Sequence, residues 1–353
     1  MKILHLDDEI WDSGLTEYAI SLAQAQHKAG HDCLFAAPAS SHAFKKAAAC
    51  GLQTLNISDK WAGAGKILGP IRVFSPDIIN AHTGSAHSFG AFVKLFSASP
   101  RPALIRTRAD ARDFTQKFLS GPLWACTDGF IGANTPTVRA FRNIYPLEPL
   151  SRVVFQGIAD EGQAPADAAQ PHTLGMLSRL DPVKGHVCAI QALKILREQF
   201  PGARLRIAGQ QQNVKAEELK KLAASHGLAD AVSVEGFVQD KQAFLSGCAI
   251  GLVPSLGSEA VSRAALEWMC AGRPVLASAV GGLPDLVEES RTGFLLKPGE
   301  PQALAEAAGK LLSSAERMRE MSGNARKRYE ELFTIEKFAA ETYDFYTEVL
   351  KRR

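Results

Sequence analysis

Residues 255–287 read SLGSEAVSRAALEWMCAGRPVLASAVGGLPDLV. Ala264, Ala265, Leu266, Trp268 and Met269 fall at helical spacing, and the helix they predict ends at Gly272. Ser258 is placed to cap its start. Arg273-Pro274 turns the chain into Val275–Ser278, a short apolar run that reads as a buried strand, and Gly281-Gly282-Leu283-Pro284 makes a tight turn before another helix. Glu259 precedes the first helix and Glu267 lies eight residues on, ~12 Å along a helix axis at 1.5 Å per residue. A helix N-terminus carries open N–H groups and the positive end of the dipole, which suits a phosphate. A diphosphate held there would place a sugar near one carboxylate and a ribose near the other, each carboxylate accepting hydrogen bonds from adjacent hydroxyls.

Outward from this stretch, short apolar runs alternate with helical patterns. Strands are predicted at 2–6, 32–36, 78–81, 104–108, 129–132 and 152–155, then at 173–178, 205–208, 232–235, 250–254, 275–278 and 293–296. Thr16–Ala29 between the first two has helical spacing and stops at Gly30. Such alternation makes parallel sheets covered by helices. Residues 159–172, ADEGQAPADAAQPH, have no apolar period and read as an interdomain linker. The fold class is therefore α/β: two Rossmann-like, doubly wound domains, residues 1–160 and 173–334, followed by a helical 335–353. Ligands are expected at the carboxyl ends of the strands, facing a cleft.

Composition narrows the class further. With 46% hydrophobic residues and a net charge of +3, the chain is neither disordered nor strongly basic. No run approaches the ~18 apolar residues of a membrane span. Ile3–Leu6 is too short for a signal-peptide core and is followed by Asp7-Asp8-Glu9. The six cysteines (33, 50, 126, 188, 248, 270) show no zinc or disulfide spacing, so reduced thiols and a cytoplasmic setting are expected. Residues 1–160 hold 16 Lys/Arg against 13 Asp/Glu and the remainder 24 against 24, so the first half carries the whole excess. Arg101, Arg106, Arg108, Arg112 and Lys117 crowd together there, although a nucleic-acid binder would usually be more basic than +3 overall and carry aromatics interleaved with the charges.

Two further segments complete the pattern. Ser178-Arg179-Leu180-Asp181-Pro182-Val183-Lys184-Gly185 follows a predicted strand, and its Arg and Lys can hold a departing diphosphate. Ser13-Gly14-Leu15 opens the first helix. With residues 255–287, these segments resemble the retaining glycosyltransferases of the GT-B fold, family 4 (glycosyl transferases group 1). The resemblance implies a donor site in which Glu259 contacts the sugar hydroxyls and Glu267 the ribose. Arg179, Lys184 and the backbone at Val261-Ser262 would hold the diphosphate, Gly236-Phe237-Val238 would line the base pocket, and Gly14 would belong to the glycine-rich loop. Glu259, Arg179 and Lys184 would carry catalysis without a metal or other cofactor, and the closing helix would cross back onto the first domain. The sequence departs from the pattern at Ala260, at Gln156 and at Ala109, where relatives carry Gly, Asn and His. His82, Arg106, Arg108 and Asp110 are the acceptor-side candidates that remain.

The expected activity is transfer of a sugar, with retention, from a nucleotide diphosphate sugar to a hydroxyl acceptor in lipopolysaccharide, polysaccharide or glycolipid synthesis. The basic run followed by Phe118, Leu119, Leu123 and Trp124 suggests an anionic glycolipid at the inner face of the cytoplasmic membrane. A nucleotide-sugar epimerase or hydrolase of the same fold, and a non-catalytic nucleotide-sugar-binding subunit, are the competing readings.

Overall fold

The computed structural model describes residues 1–110, 121–164, 170–257 and 259–353. The chain forms two compact units: Met1–Gly157 with Ile335–Arg353, and Ile158–Thr334.

The strands of the first unit are β1 (Lys2–Leu6), β2 (Asp32–Ala37), β3 (Gln53–Asn56), β4 (Ile78–Ala81), β5 (Ala103–Arg108), β6 (Gly129–Gly132) and β7 (Leu150–Val153). They form one parallel sheet in the order β3-β2-β1-β4-β5-β6-β7. Helices α1 (Gly14–Lys28), α2 (His42–Ala49), α3 (Ala64–Phe74), α4 (Gly84–Leu95), α5 (Gly121–Ala125) and α6 (Thr135–Ile144) make the crossovers. Because helices cover the faces of such a sheet, central strands are apolar along their length: Ile78, Ile79, Ala81, Leu104 and Ile105 are all fully buried.

The second unit repeats the plan. Strands β8 (Thr173–Leu177), β9 (Arg204–Ala208), β10 (Val232–Gly236), β11 (Ile250–Val253), β12 (Val275–Ser278) and β13 (Gly293–Leu296) are parallel in the order β10-β9-β8-β11-β12-β13. Between and after them run α7 (His186–Gln199), α8 (Ala216–Ser225), α9 (Lys241–Ser246), α10 (Arg263–Cys270), α11 (Leu283–Leu286), α12 (Pro301–Leu312) and α13 (Ala315–Leu332). The chain then returns to the first unit as α14 (Ile335–Lys351). Tyr346 of α14 accepts from Asn80 Nδ2 at 2.6 Å, and Phe338 packs against Tyr18 of α1 with ring centroids 4.7 Å apart.

Each strand expected from the sequence forms, with ends moved by no more than two residues. The strand expected at 152–155 lies at Leu150–Val153. The unforeseen β3 is an edge strand with no fully buried residue, so Gln-Thr-Leu-Asn carries no apolar signal. The segment expected as a linker, 159–172, instead packs on the second unit over its described residues. Ile158 N donates to Phe333 O at 3.0 Å, Ala164 N donates to Ala271 O at 3.2 Å, and Asp160 pairs with Arg326 at 2.6 Å. Its polarity reflects fixed ion pairs rather than free chain; residues 165–169 lie outside the described residues.

One packing contact sets the position of α10. Trp268 is fully buried, and its indole lies over Gly251 of β11 and Gly175 of β8. A Cβ at Gly251 would stand 2.2 Å from Trp268 Cγ, and one at Gly175 2.5 Å from Trp268 Cη2. Two strands without side chains thus admit the ring. Gly251→Ala should cost about 2–3 kcal/mol by overpacking, lowering the melting temperature of the unit by roughly 5–10 °C. Adding Trp268→Leu to that variant should recover part of the loss in calorimetry. Unaltered melting of Gly251→Ala would refute the contact.

Candidate active site

The second sheet reverses its strand order between β8 and β11, and ligands of doubly wound folds bind at the carboxyl ends beside that point. Ser178 and Arg179 follow β8, and Pro254 and Ser255 follow β11. The β8 loop is pinned by Asp181, whose Oδ1 accepts from Val183 N at 3.0 Å and whose Oδ2 accepts from Asn213 Nδ2 at 2.6 Å. Leu256 N donates to Val183 O at 2.7 Å, joining the two loops. That join brings Lys184 to Glu259: Nζ lies 2.5 Å from Oε1, which also accepts from Ser255 Oγ at 2.6 Å. Glu259 is only 3% exposed, so its charge requires a partner, and the lysine supplies it.

The glycine turn after β12 holds Glu259 from behind. Gly282 N donates to Glu259 O at 2.7 Å. Gly281 adopts φ +56°, and a Cβ there would come within 2.1 Å of that same carbonyl. The turn expected from Gly281-Gly282 thus serves as a seat for the Glu259 backbone.

Helix α10 begins at Arg263 rather than directly after Glu259, so residues 259–262 are not helical and the axial estimate of ~12 Å does not describe the glutamate pair. Ser262 stands at the cap position without a side-chain cap bond, and the expected cap, Ser258, lies outside the described residues. Among the described residues no side chain caps α10, which suits an anion near Val261 and Ser262. Glu267, 8% exposed, receives Lys241 Nζ on Oε1 at 3.0 Å. Burial opposes the Lys241 charge, but Glu267 and Glu161 outweigh it and hold the ammonium above the ordinary lysine range. Arg179 is exposed and, among the described residues, without an ionic partner. At the end of β10, Gly236 has φ +67°, Val238 is half-buried, and Phe237 is 68% exposed, a large ring left in solvent.

In the first unit the acceptor-side candidates gather at the carboxyl ends of β4 and β5. His82, 1% exposed, donates its backbone N–H to Leu6 O and lies against His5, Nε2 to Nδ1 at 3.1 Å. His5 Nε2 meets Gln26 Oε1 at 3.0 Å, so His5 donates there, and its Nδ1 accepts from His82. Burial holds His5 at about 4 and His82 well below the ordinary histidine range, so both stay neutral near pH 7. Arg106 is buried, with one nitrogen on the carbonyls of Ala81 and Thr107. Arg108 pairs with Asp110 at 3.1 Å, and Ala109 is buried. Gly14 opens α1 on Ser13, and a Cβ there would meet no protein atom. Asp12, Glu17 and His42 bring three potential metal-ligand atoms within 4.8 Å, although Glu17 is already paired with Lys46.

Four functional-looking residues escaped the sequence reading. Ser255, Glu161 and Lys241 are ordinary polar residues in sequence, and only the fold brings them to the two glutamates. Asp7 is the fourth. It follows β1, is fully buried, and uses Oδ1 to accept from Glu9 N at 3.0 Å while Oδ2 has no partner.

Known proteins share both sequence and fold with this chain. Residues 160–328, just under half of the chain, match the family model described as glycosyl transferases group 1. A D-inositol 3-phosphate glycosyltransferase of Streptomyces griseus is 34% identical over 194 residues, 53% of this chain and 40% of that protein. An MMP alpha-(1->4)-mannosyltransferase of Mycolicibacterium hassiacum is 32% identical over 136 residues, 38% of this chain and 33% of that protein. The chain thus spans less than half the length of these curated relatives. Among solved structures, Anabaena HepE in complex with UDP superposes with a TM-score of 0.83 at 20% identity, covering 99% of this chain and 100% of that one. A glycosyltransferase from Rickettsia africae reaches 0.85 at 16% identity, covering 99% of each. The fold is that of the two-domain GT-B glycosyltransferases.

Burial raises the Asp7 carboxyl to about 7, with Arg106 opposing. The folded state therefore binds an extra proton between about pH 4 and pH 7, and stability falls as pH rises through that window. Asp7→Asn keeps the acceptor for Glu9 N and removes the charge. In urea unfolding it should match the parent near pH 4 and gain on it up to about 4 kcal/mol by pH 8.5. A parent and variant that differ equally at both pH values would contradict the assignment.

Proposed function

We propose that this chain is a retaining glycosyltransferase that moves a sugar from a nucleotide diphosphate sugar to a hydroxyl acceptor. The observation that carries the reading is the paired placement of Glu259 with Lys184 and of Glu267 with Lys241 on either side of a helix N-terminus that no side chain caps among the described residues, inside the region that matches the group 1 family model. Glu259 takes the sugar hydroxyls, Glu267 the ribose, and Arg179, Lys184 and the Val261-Ser262 backbone the diphosphate. Gly236, Phe237 and Val238 line the base pocket. Uracil is the base we propose, since the HepE structure superposing on this chain holds UDP.

Chemically, the C1–O bond to the diphosphate breaks as the acceptor oxygen bonds C1 on the same face, and a departing phosphate oxygen takes the acceptor proton. Arg179 and Lys184 stabilise the charge that grows on the diphosphate. Lys184 is balanced by Glu259 before the donor arrives. The incoming diphosphate competes for that ammonium, and the sugar hydroxyls donate to the carboxylate it releases. With two cations in place we propose that no metal is required.

The first unit receives the acceptor at the carboxyl ends of β1, β4 and β5, where His82, Arg106, Arg108 and Asp110 stand. An anionic glycolipid at a membrane surface is the acceptor class we propose. Among the described residues no helix is long and apolar enough to cross a membrane, so contact would be peripheral. Arg106 and Arg108 are engaged internally, and Arg101 precedes β5, about 20 Å from the strand's far end. Recognition then falls to Arg112 and Lys117, which lie outside the described residues.

Glu267→Ala should weaken UDP binding about 10- to 100-fold, because hydrogen bonds to a charged group are worth ~1.5–3 kcal/mol. Glu259→Ala should leave UDP affinity nearly intact and lower turnover. Titration calorimetry paired with a donor assay, run with and without acceptor, separates these outcomes; release of free sugar unaffected by acceptor would favour a hydrolase instead. For the acceptor, the full chain should co-sediment with anionic but not neutral liposomes, lose binding at high salt, and lose it in Arg112→Ser/Lys117→Ser. Absence from both pellets would argue for an acceptor in solution.

A further inference from the structure

We infer that Lys241 is a positioning residue for the donor-site carboxylate Glu267, holding it turned so that one oxygen faces the ribose. This rests on the reading above that Glu267 receives ribose hydroxyls. Lys241 opens α9, where Asp240 caps the helix by accepting from Ala243 N at 2.8 Å. A lysine in a first helical turn faces the positive end of the dipole, so helix stability does not favour it there. Its ammonium lies 3.0 Å from Glu267 Oε1 and 3.1 Å from Glu161 Oε1. Glu267 sits in mid-helix and nearly buried, where an uncompensated carboxylate would be costly.

The surrounding charges leave this role to Lys241. Arg263, one turn earlier on α10, stands 3.8 Å from Glu267 Oε1, beyond hydrogen-bond reach. From the 158–164 segment comes Glu161, an acid, and its neighbour Asp160 is locked to Arg326 by contacts of 2.6 and 2.8 Å. The groups facing the Glu267 carboxyl are therefore Lys241, Arg263 and, through the shared lysine, Glu161. Lys241 engages Oε1, and among the described residues nothing bonds to Oε2. The carboxylate is thereby pre-turned, with one oxygen presented to the ligand. Glu161 holds the ammonium from the other side, which limits the lysine to this geometry.

The test compares UDP with 2′,3′-dideoxy-UDP by titration calorimetry on the full chain at pH 8. The parent should prefer UDP. Lys241→Met should bind UDP about tenfold more weakly, while its affinity for the dideoxy probe changes little. Lys241→Arg should restore most of the preference, and Lys241→Met/Glu267→Ala should bind UDP no more weakly than Glu267→Ala alone. Full additivity in the double variant, an equal loss for both probes, or an intact preference in Lys241→Met would overturn the inference while leaving the ribose role of Glu267 standing. Unaltered UDP affinity in Glu267→Ala would remove that role, and the inference with it.

Discussion

The seating of Trp268 on Gly175 and Gly251 is the contact on which the donor-side geometry depends. The indole occupies space that two strands leave empty, so α10 lies close against the sheet beside the β8–β11 reversal. Glu267 is carried by the same helix, and Glu259 by the loop that feeds it. A side chain at either glycine would lift the helix, and both carboxylates would leave the lysines that neutralise them. Packing deep in the core and charge placement at the strand ends are therefore one design, linked through eight residues of helix.

A consequence follows for the electrostatics. Each buried glutamate carries a lysine, and each lysine comes from a different segment: Lys184 from the loop after β8, Lys241 from the start of α9 after β10. A carboxylate buried without a partner would be costly, and each lysine offsets that cost. Arg179, exposed and without an ionic partner among the described residues, has no such pairing.

Much of this was legible in the sequence because both units obey one rule. Central parallel strands are buried on two faces and read as largely apolar runs, which is why β4, β6 and β12 have the expected bounds. β3 was invisible because an edge strand needs no such run. Glu259, Glu267, Arg179 and Lys184 were found through spacing and motif, but their partners were not. Lys241 lies 26 positions from Glu267, and Glu161 lies in a stretch whose polarity resembles that of a tether. Long-range ion pairs leave no periodic trace, and a segment tied down by charge has the same composition as one that is free. Asp7 escaped for a related reason: in Asp7-Asp8-Glu9 the three acids look alike, and only burial separates the first from its neighbours.

The same topology serves opposite electrostatic ends in the two units. At the strand ends of the second unit, buried glutamates are paired with lysines. In the first, burial keeps His5 and His82 neutral, and Asp7 sits near its titration point. Arg106 is directed to backbone carbonyls, Arg108 is closed on Asp110, and Asp8 is held by Lys60 and Thr83. These groups are mostly buried, and their charges are either suppressed or closed on internal partners. The His82–His5–Gln26 chain also fixes tautomers: because His5 Nε2–H is committed to Gln26, His82 Nε2 carries the shared hydrogen and Nδ1 is left as an acceptor. The two units thus share one architecture but handle charge differently: buried glutamates neutralised by lysines in the second, and neutral buried imidazoles beside internally closed ion pairs in the first.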